Sequence, residues 1–173
     1  MWRHLPNVLT FFRIAMIPVV AICLLKNSMI AVVFFALACL TDYLDGYIAR
    51  TFSYTSRLGA FLDPVADKLL VASTLLLLAG LGRISLYGLV PAVIILCREI
   101  LISGLREFLS AHQVFLPVTK LGKWKTAVQM LSLICLLINY QTTYVVGEVL
   151  LWCASLLATI SAIQYFKSSN YYF

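Results

Sequence analysis

Apolar residues run along this chain in six long blocks, roughly 8–25, 29–50, 59–80, 86–107, 122–140 and 144–166. Each block approaches the roughly 20 apolar residues that a helix needs to cross the hydrocarbon core of a bilayer. The polar breaks fall near Lys26–Ser28, Thr51–Leu58, Leu81–Ser85, Ser110–Leu121 and Gln141–Thr143. Connections this short force consecutive helices to run antiparallel. The pattern predicts an all-α membrane protein of six transmembrane helices in a compact bundle. Residues Trp2 to Phe12 are expected to form a short interfacial helix before the first span, with Trp2, Phe11 and Phe12 at headgroup level. No internal repeat or low-complexity tract interrupts the pattern.

Composition agrees. Hydrophobic residues make up 62% of the 173 positions, with a mean hydropathy of +0.97. Soluble domains are only about 45–50% apolar, and a soluble chain of this size leaves much of its surface wet. Six spans use roughly 120–140 residues, so residues 1–173 read as a single membrane domain. The start resembles a signal peptide, but Arg13 and Pro18 interrupt its apolar stretch and no small-x-small cleavage site follows. It reads as retained. The five cysteines, Cys23, Cys39, Cys97, Cys135 and Cys153, lie inside apolar blocks and read as small buried hydrophobes. His4 and His112 are isolated, which argues against a histidine metal site.

The net charge of +6 does not point to nucleic acid, because the cations are few and lie mainly between the blocks. Lipid headgroups and anionic substrates suit them better. With the N-terminus inside, the inner segments carry Arg3, Arg13, Arg50, Arg57, Arg106, Lys120, Lys123, Lys125 and Lys167. The outer connections then hold only Lys26 and Arg83. The positive-inside rule therefore puts both termini in the cytoplasm. The expectation is a multi-pass inner-membrane protein whose polar face opens to the cytoplasm.

The chain has seven acidic residues, and four are aspartates flanking the second connection: Asp42, Asp45, Asp63 and Asp67. A carboxylate near a bilayer is costly, about 2.5–3.5 kcal/mol at a helix centre. Four together repel one another, and a divalent cation is the simplest remedy. Asp42 and Asp45 are three apart and share a helix face, which Gly46, Ala49 and Arg50 extend. Gly59, Asp63 and Asp67 are spaced by four and share another. A hairpin of the second and third helices would bring these faces together as an all-oxygen cage for Mg²⁺ or Mn²⁺. Each aspartate also has a structural alternative. Asp63 would cap a helix opening at Pro64, Asp67 would pair with Lys68, and Asp42 and Asp45 would be solvated at a helix end.

These residues spell Asp42-x₂-Asp45-Gly46-x₂-Ala49-Arg50-x₈-Gly59-x₃-Asp63-x₃-Asp67, which resembles the signature of the CDP-alcohol phosphotransferase family at every fixed position. The likeness extends to Leu5-Pro6-Asn7-Val8-Leu9-Thr10-Phe11-Phe12-Arg13, to Arg98-Glu99 through Leu105-Arg106-Glu107, and to Gly122-Lys123-Trp124-Lys125-Thr126-Ala127. There it looks like the phosphatidylglycerophosphate synthase branch. The last helix carries least of it.

The resemblance implies six transmembrane helices, a cavity open to the cytoplasm, two divalent cations (Mg²⁺ or Mn²⁺) and a homodimer. It implies CDP-diacylglycerol and glycerol 3-phosphate as substrates. Asp42, Asp45 and Asp63 are expected to hold metal, with Asp67 as general base and possible fourth ligand. Gly46, Ala49, Arg50 and Gly59 are expected to line the CDP site. Arg98 and Arg106, eight apart on one helix face, with Lys123 and Lys125, are expected to take the acceptor phosphate. Thr10, Arg13 and Glu99 support the site. Other acceptors in the family are inositol phosphate, serine, choline and phosphatidylglycerol. From another class, intramembrane aspartates also suit a small ion transporter, although here they gather at one membrane face.

Overall fold

A computed structural model describes the backbone of residues 5–52, 57–112 and 120–169, and within these the side chains of 10–41, 62–110, 112 and 121–168. Its six helices are α1 (Leu5–Lys26), α2 (Ser28–Phe52), α3 (Arg57–Gly80), α4 (Leu89–Ala111), α5 (Lys120–Ile138) and α6 (Gln141–Ser169). Each covers one apolar block of the sequence to within a few residues. Two stretches among the described residues, Leu121–Ile138 and Gln141–Ser168, are long and apolar enough to cross a membrane. Charge interrupts two others: α3 carries Asp63, Asp67 and Lys68, and α4 carries Arg98, Glu99, Arg106 and Glu107.

The separate interfacial helix does not form. Leu5 to Phe12 run unbroken into α1, and Trp2 lies outside the described residues. The only proline before position 18 is Pro6, which sits in the first turn, where its missing N–H costs nothing. Pro18 is accommodated within the helix. The cysteines also differ from expectation. Cys97 and Cys153 are exposed and the other three are partly so. The apolar outer surface, which includes Leu76, Ile100 and Leu156, accepts them as readily as a core would.

Backbone contacts divide the chain into two units, Met1–Leu81 with Leu137–Asn139, and Gly82–Leu136 with Tyr140–Phe173. In the first, α1 packs against both α2 and α3. Thr10, Arg13, Val20 and Leu24 form the buried stripe of α1, Ala31, Phe35 and Ala38 that of α2, and Ala66, Leu70, Thr74 and Leu78 that of α3. These spacings of three, four and their sums are one helical face. The alanines let backbones approach closely. Asn27 alone joins α1 to α2, and its Oδ1 accepts the Met29 and Ile30 N–H groups at 2.9 and 3.4 Å. That bond caps α2.

In the second unit α4 packs on α6. The buried stripe of α6 is Gly147, Leu151, Ala154, Ala158, Ser161 and Tyr165, alternating steps of four and three. A Cβ at Gly147 would lie 2.8 Å from the Leu136 side chain, so only glycine permits this approach of α5 to α6. There Ser132 donates to the Gly147 carbonyl at 2.7 Å. Glu148 ties down the connection before α4. Its Oε1 accepts the Ser85 N–H at 2.6 Å and the Tyr144 hydroxyl at 3.0 Å. Gly88 leaves room for it, since a Cβ there would meet Glu148 Oε1 at 2.8 Å.

Glu148→Ala should remove the acceptor for two donors at a cost of about 1–3 kcal/mol, read as a lower midpoint of thermal unfolding in detergent. Glu148→Gln, which keeps one acceptor oxygen, should lose less. An unchanged midpoint for Glu148→Ala would mean that residues 82–88 hold themselves in place.

Candidate functional site

The charged residues singled out in the sequence fall into two sets, one in each unit. In the first unit the signature residues lie on α2 and α3. Asp42, Asp45, Gly46, Ala49 and Arg50 fall in the last turns of α2, and Gly59, Asp63 and Asp67 in the first turns of α3. The side chains of Asp42, Asp45, Ala49 and Arg50, and the surroundings of Gly46 and Gly59, are outside the described residues. The described side chains are those of Asp63 and Asp67.

The capping alternative for Asp63 fails. Helix α3 opens at Arg57, so Asp63 and Pro64 lie inside it. A capping residue would satisfy the free N–H groups of a helix start, and no helix starts there. Instead Asp63 Oδ1 accepts a hydrogen bond from Arg13 Nη1 of α1 at 2.9 Å. Arg13 is fully buried, whereas the Asp63 side chain keeps 44% of its surface open. An arginine brought in among apolar helices needs a counter-charge. Asp63 supplies it and still leaves part of its carboxylate free for a ligand. Thr10, three residues before Arg13, is buried on the same stripe. Asp67, one turn beyond Asp63, is partly buried. Lys68 donates to the Pro64 carbonyl at 2.7 Å.

In the second unit the sequence candidates separate. Lys125 is buried and bonds Glu99 of α4. Glu99 Oε2 also lies 3.5 Å from Arg98 Nη1. Arg98 Nη2 donates to Ser161 Oγ of α6 at 2.9 Å, and its guanidinium sits 5.9 Å from the centre of the Tyr165 ring. Arg98, Glu99 and Lys125 therefore form one network across α4, α5 and α6. Arg106, Lys123 and Glu107 are exposed. Headgroup snorkelling, open to any lysine at a helix start, does not describe Lys125, which is 2% exposed.

Sequence reasoning missed three members of this unit. Ser161 and Tyr165 are buried on the inner stripe of α6, and Gln129 is buried one turn along α5 from Lys125. The signal was present. A serine, and a tyrosine one turn on, interrupt the stripe of small and apolar residues on α6. Gln129 and Ser132 continue the face of Lys125 by four and three. Nothing in the sequence aligned those faces with Arg98.

Comparison with known proteins bears on both sets. The family model for CDP-alcohol phosphatidyltransferase matches residues 3–160. A protein of Rickettsia bellii named CDP-diacylglycerol–glycerol-3-phosphate 3-phosphatidyltransferase is 41% identical, over 99% of this chain and 98% of its own. A protein of the same name from Haemophilus influenzae is 39% identical over 95% of this chain and 92% of its own. One of Arabidopsis thaliana, carrying that name with the suffix 2, is 41% identical over 81% of this chain and 66% of its own.

Arg13 and Asp63 should be energetically coupled. A double-mutant cycle with Arg13→Met and Asp63→Asn, read by unfolding in detergent, should give about 1–3 kcal/mol of interaction. Strictly additive losses would show that the contact contributes nothing.

Proposed function

The chain belongs to the CDP-alcohol phosphatidyltransferase family, and we propose that it transfers the phosphatidyl group of CDP-diacylglycerol to glycerol 3-phosphate. The products are phosphatidylglycerol phosphate and CMP, and the place of the reaction is phospholipid biosynthesis. The observation that carries this reading is the near-full-length likeness to relatives of that name, in a chain whose aspartate signature is intact.

The apolar helices and the family suggest a membrane protein. In the proposed arrangement all six helices span the inner membrane, the reacting face opens to the cytoplasm and the chain works as a homodimer. The bias of Lys and Arg toward the inner connections supports that orientation.

The reaction is a displacement at phosphorus. The acceptor hydroxyl oxygen bonds to the phosphatidyl phosphorus, the bond from that phosphorus to the CMP oxygen breaks, and CMP leaves. The work of such a site is positioning and charge neutralisation. Asp42, Asp45 and Asp63 are the proposed holders of two divalent cations, Mg²⁺ or Mn²⁺, with Asp67 as a further candidate. The open part of the Asp63 carboxylate and the all-oxygen donor set fit such ions. Cations held there would supply charge neutralisation for the diphosphate and the departing oxygen. Arg13 sets the orientation of the Asp63 carboxylate. Asp67 takes the proton from the acceptor hydroxyl. Arg50 pairs with the diphosphate, and Gly46, Ala49 and Gly59 leave room for the cytidine. Arg98, Arg106 and Lys123 supply positive charge to the acceptor phosphate, while the buried Lys125 supports Arg98 through Glu99. Thr10, on the buried stripe of α1 with Arg13, supports the aspartate set, and Glu99 supports Arg98.

A phosphorylated acceptor accounts for the cations on α4 and α5, which serine or another free alcohol would not require. Turnover with radiolabelled glycerol 3-phosphate should exceed turnover with inositol phosphate and serine, and activity confined to another acceptor would overturn the acceptor assignment. Asp67→Asn should abolish turnover while CDP-lipid binding survives, and undiminished turnover would remove Asp67 as base. Chelation of divalent ions should stop the reaction and added Mg²⁺ or Mn²⁺ restore it. Full activity in chelator would contradict the metal assignment.

A further inference from the structure

We infer that Ser161 and Tyr165, on the last helix, are positioning residues that hold the Arg98 guanidinium for the phosphate of the acceptor. The inference rests on the proposed role of Arg98. Both residues lie past the stretch 3–160 that matches the family model. Ser161 is fully buried and Tyr165 is 3% exposed, so neither is placed there to meet bulk surroundings. Four residues apart, they lie on the same face of α6. One presents a hydroxyl and the next turn an aromatic ring, and both engage the same guanidinium.

The chemistry is specific to arginine. Ser161 Oγ accepts from Nη2 at 2.9 Å, and the Tyr165 ring offers its electron-rich face to the cation. Glu99 approaches Nη1 at 3.5 Å. A guanidinium has five N–H donors in a fixed fork. Nε is buried and has no partner among the described residues. An unmet buried donor is costly. The arrangement fixes the plane and position of Arg98 while leaving donor capacity for an anion. A phosphate oxygen is the ligand that such a pre-set fork takes best.

The test is steady-state kinetics of the full chain in detergent, with CDP-diacylglycerol and glycerol 3-phosphate varied in turn. Ser161→Ala and Tyr165→Leu should each raise KM for glycerol 3-phosphate by about five- to tenfold, with kcat and KM for CDP-diacylglycerol little changed. Tyr165→Phe, which keeps the ring face, should recover most of the affinity lost in Tyr165→Leu. In an Arg98→Ala background neither change should add to the KM. A parallel rise in both KM values, no rise in either, or a full effect without Arg98 would overturn the inference. If Arg98→Ala itself leaves KM for glycerol 3-phosphate unchanged, the acceptor-site reading of Arg98 falls and the role of α6 falls with it. If Arg98→Ala raises that KM and the α6 variants do not, only the role of α6 is lost.

Discussion

A charge drawn in among apolar helices must find a counter-charge or a hydrogen-bonding partner, because burying it alone costs more than any packing gain nearby returns. That constraint organises both units of this protein. Arg13 is fully buried and is answered by Asp63. Lys125 is almost fully buried and is answered by Glu99, which also approaches Arg98. Elsewhere in the described residues, alanine, leucine and glycine fit one helix to another.

The two answers differ in what they leave open. Asp63 gives one oxygen to Arg13 and keeps much of its surface exposed. It behaves as a carboxylate held in place and still available. Lys125 is 2% exposed and the Glu99 side chain 16%, so little of that pair is open to a ligand. Arg98 lies between these extremes, gripped by Ser161 and Tyr165 yet retaining an unmet donor. A residue that is both fixed and incompletely satisfied is the usual signature of a binding group, whereas a closed pair is scaffold. On that basis Lys125 supports Arg98 through Glu99 more than it meets a phosphate itself.

Glycine and carboxylate do complementary work at the other connections. Gly147 lets α5 and α6 touch, and Gly88 makes room for Glu148 to collect the Ser85 N–H and the Tyr144 hydroxyl. Gly82 and Asn139 take positive φ values, of 66° and 61°, next to the ends of α3 and α5. Left-handed backbone suits glycine and is tolerated by asparagine, so each helix can stop abruptly. Short connections are possible only because these few residues accept what others would resist.

The six helices were legible in the chain because an apolar block of about twenty residues bounded by polar breaks has few other solutions. The aspartate signature was legible because its spacing by three and four is itself a statement about helix faces. The interfacial helix was misjudged, since nothing between Pro6 and Pro18 obliges α1 to break. Asp63 as a helix cap was also undone, by the start of α3 at Arg57. Local pattern determines which residues share a face. It does not determine which face of another helix they meet, because that depends on packing between residues as far apart as Arg98 and Ser161. Only the tertiary structure could join Arg13 to Asp63, close Lys125 onto Glu99, and bring the last helix to Arg98.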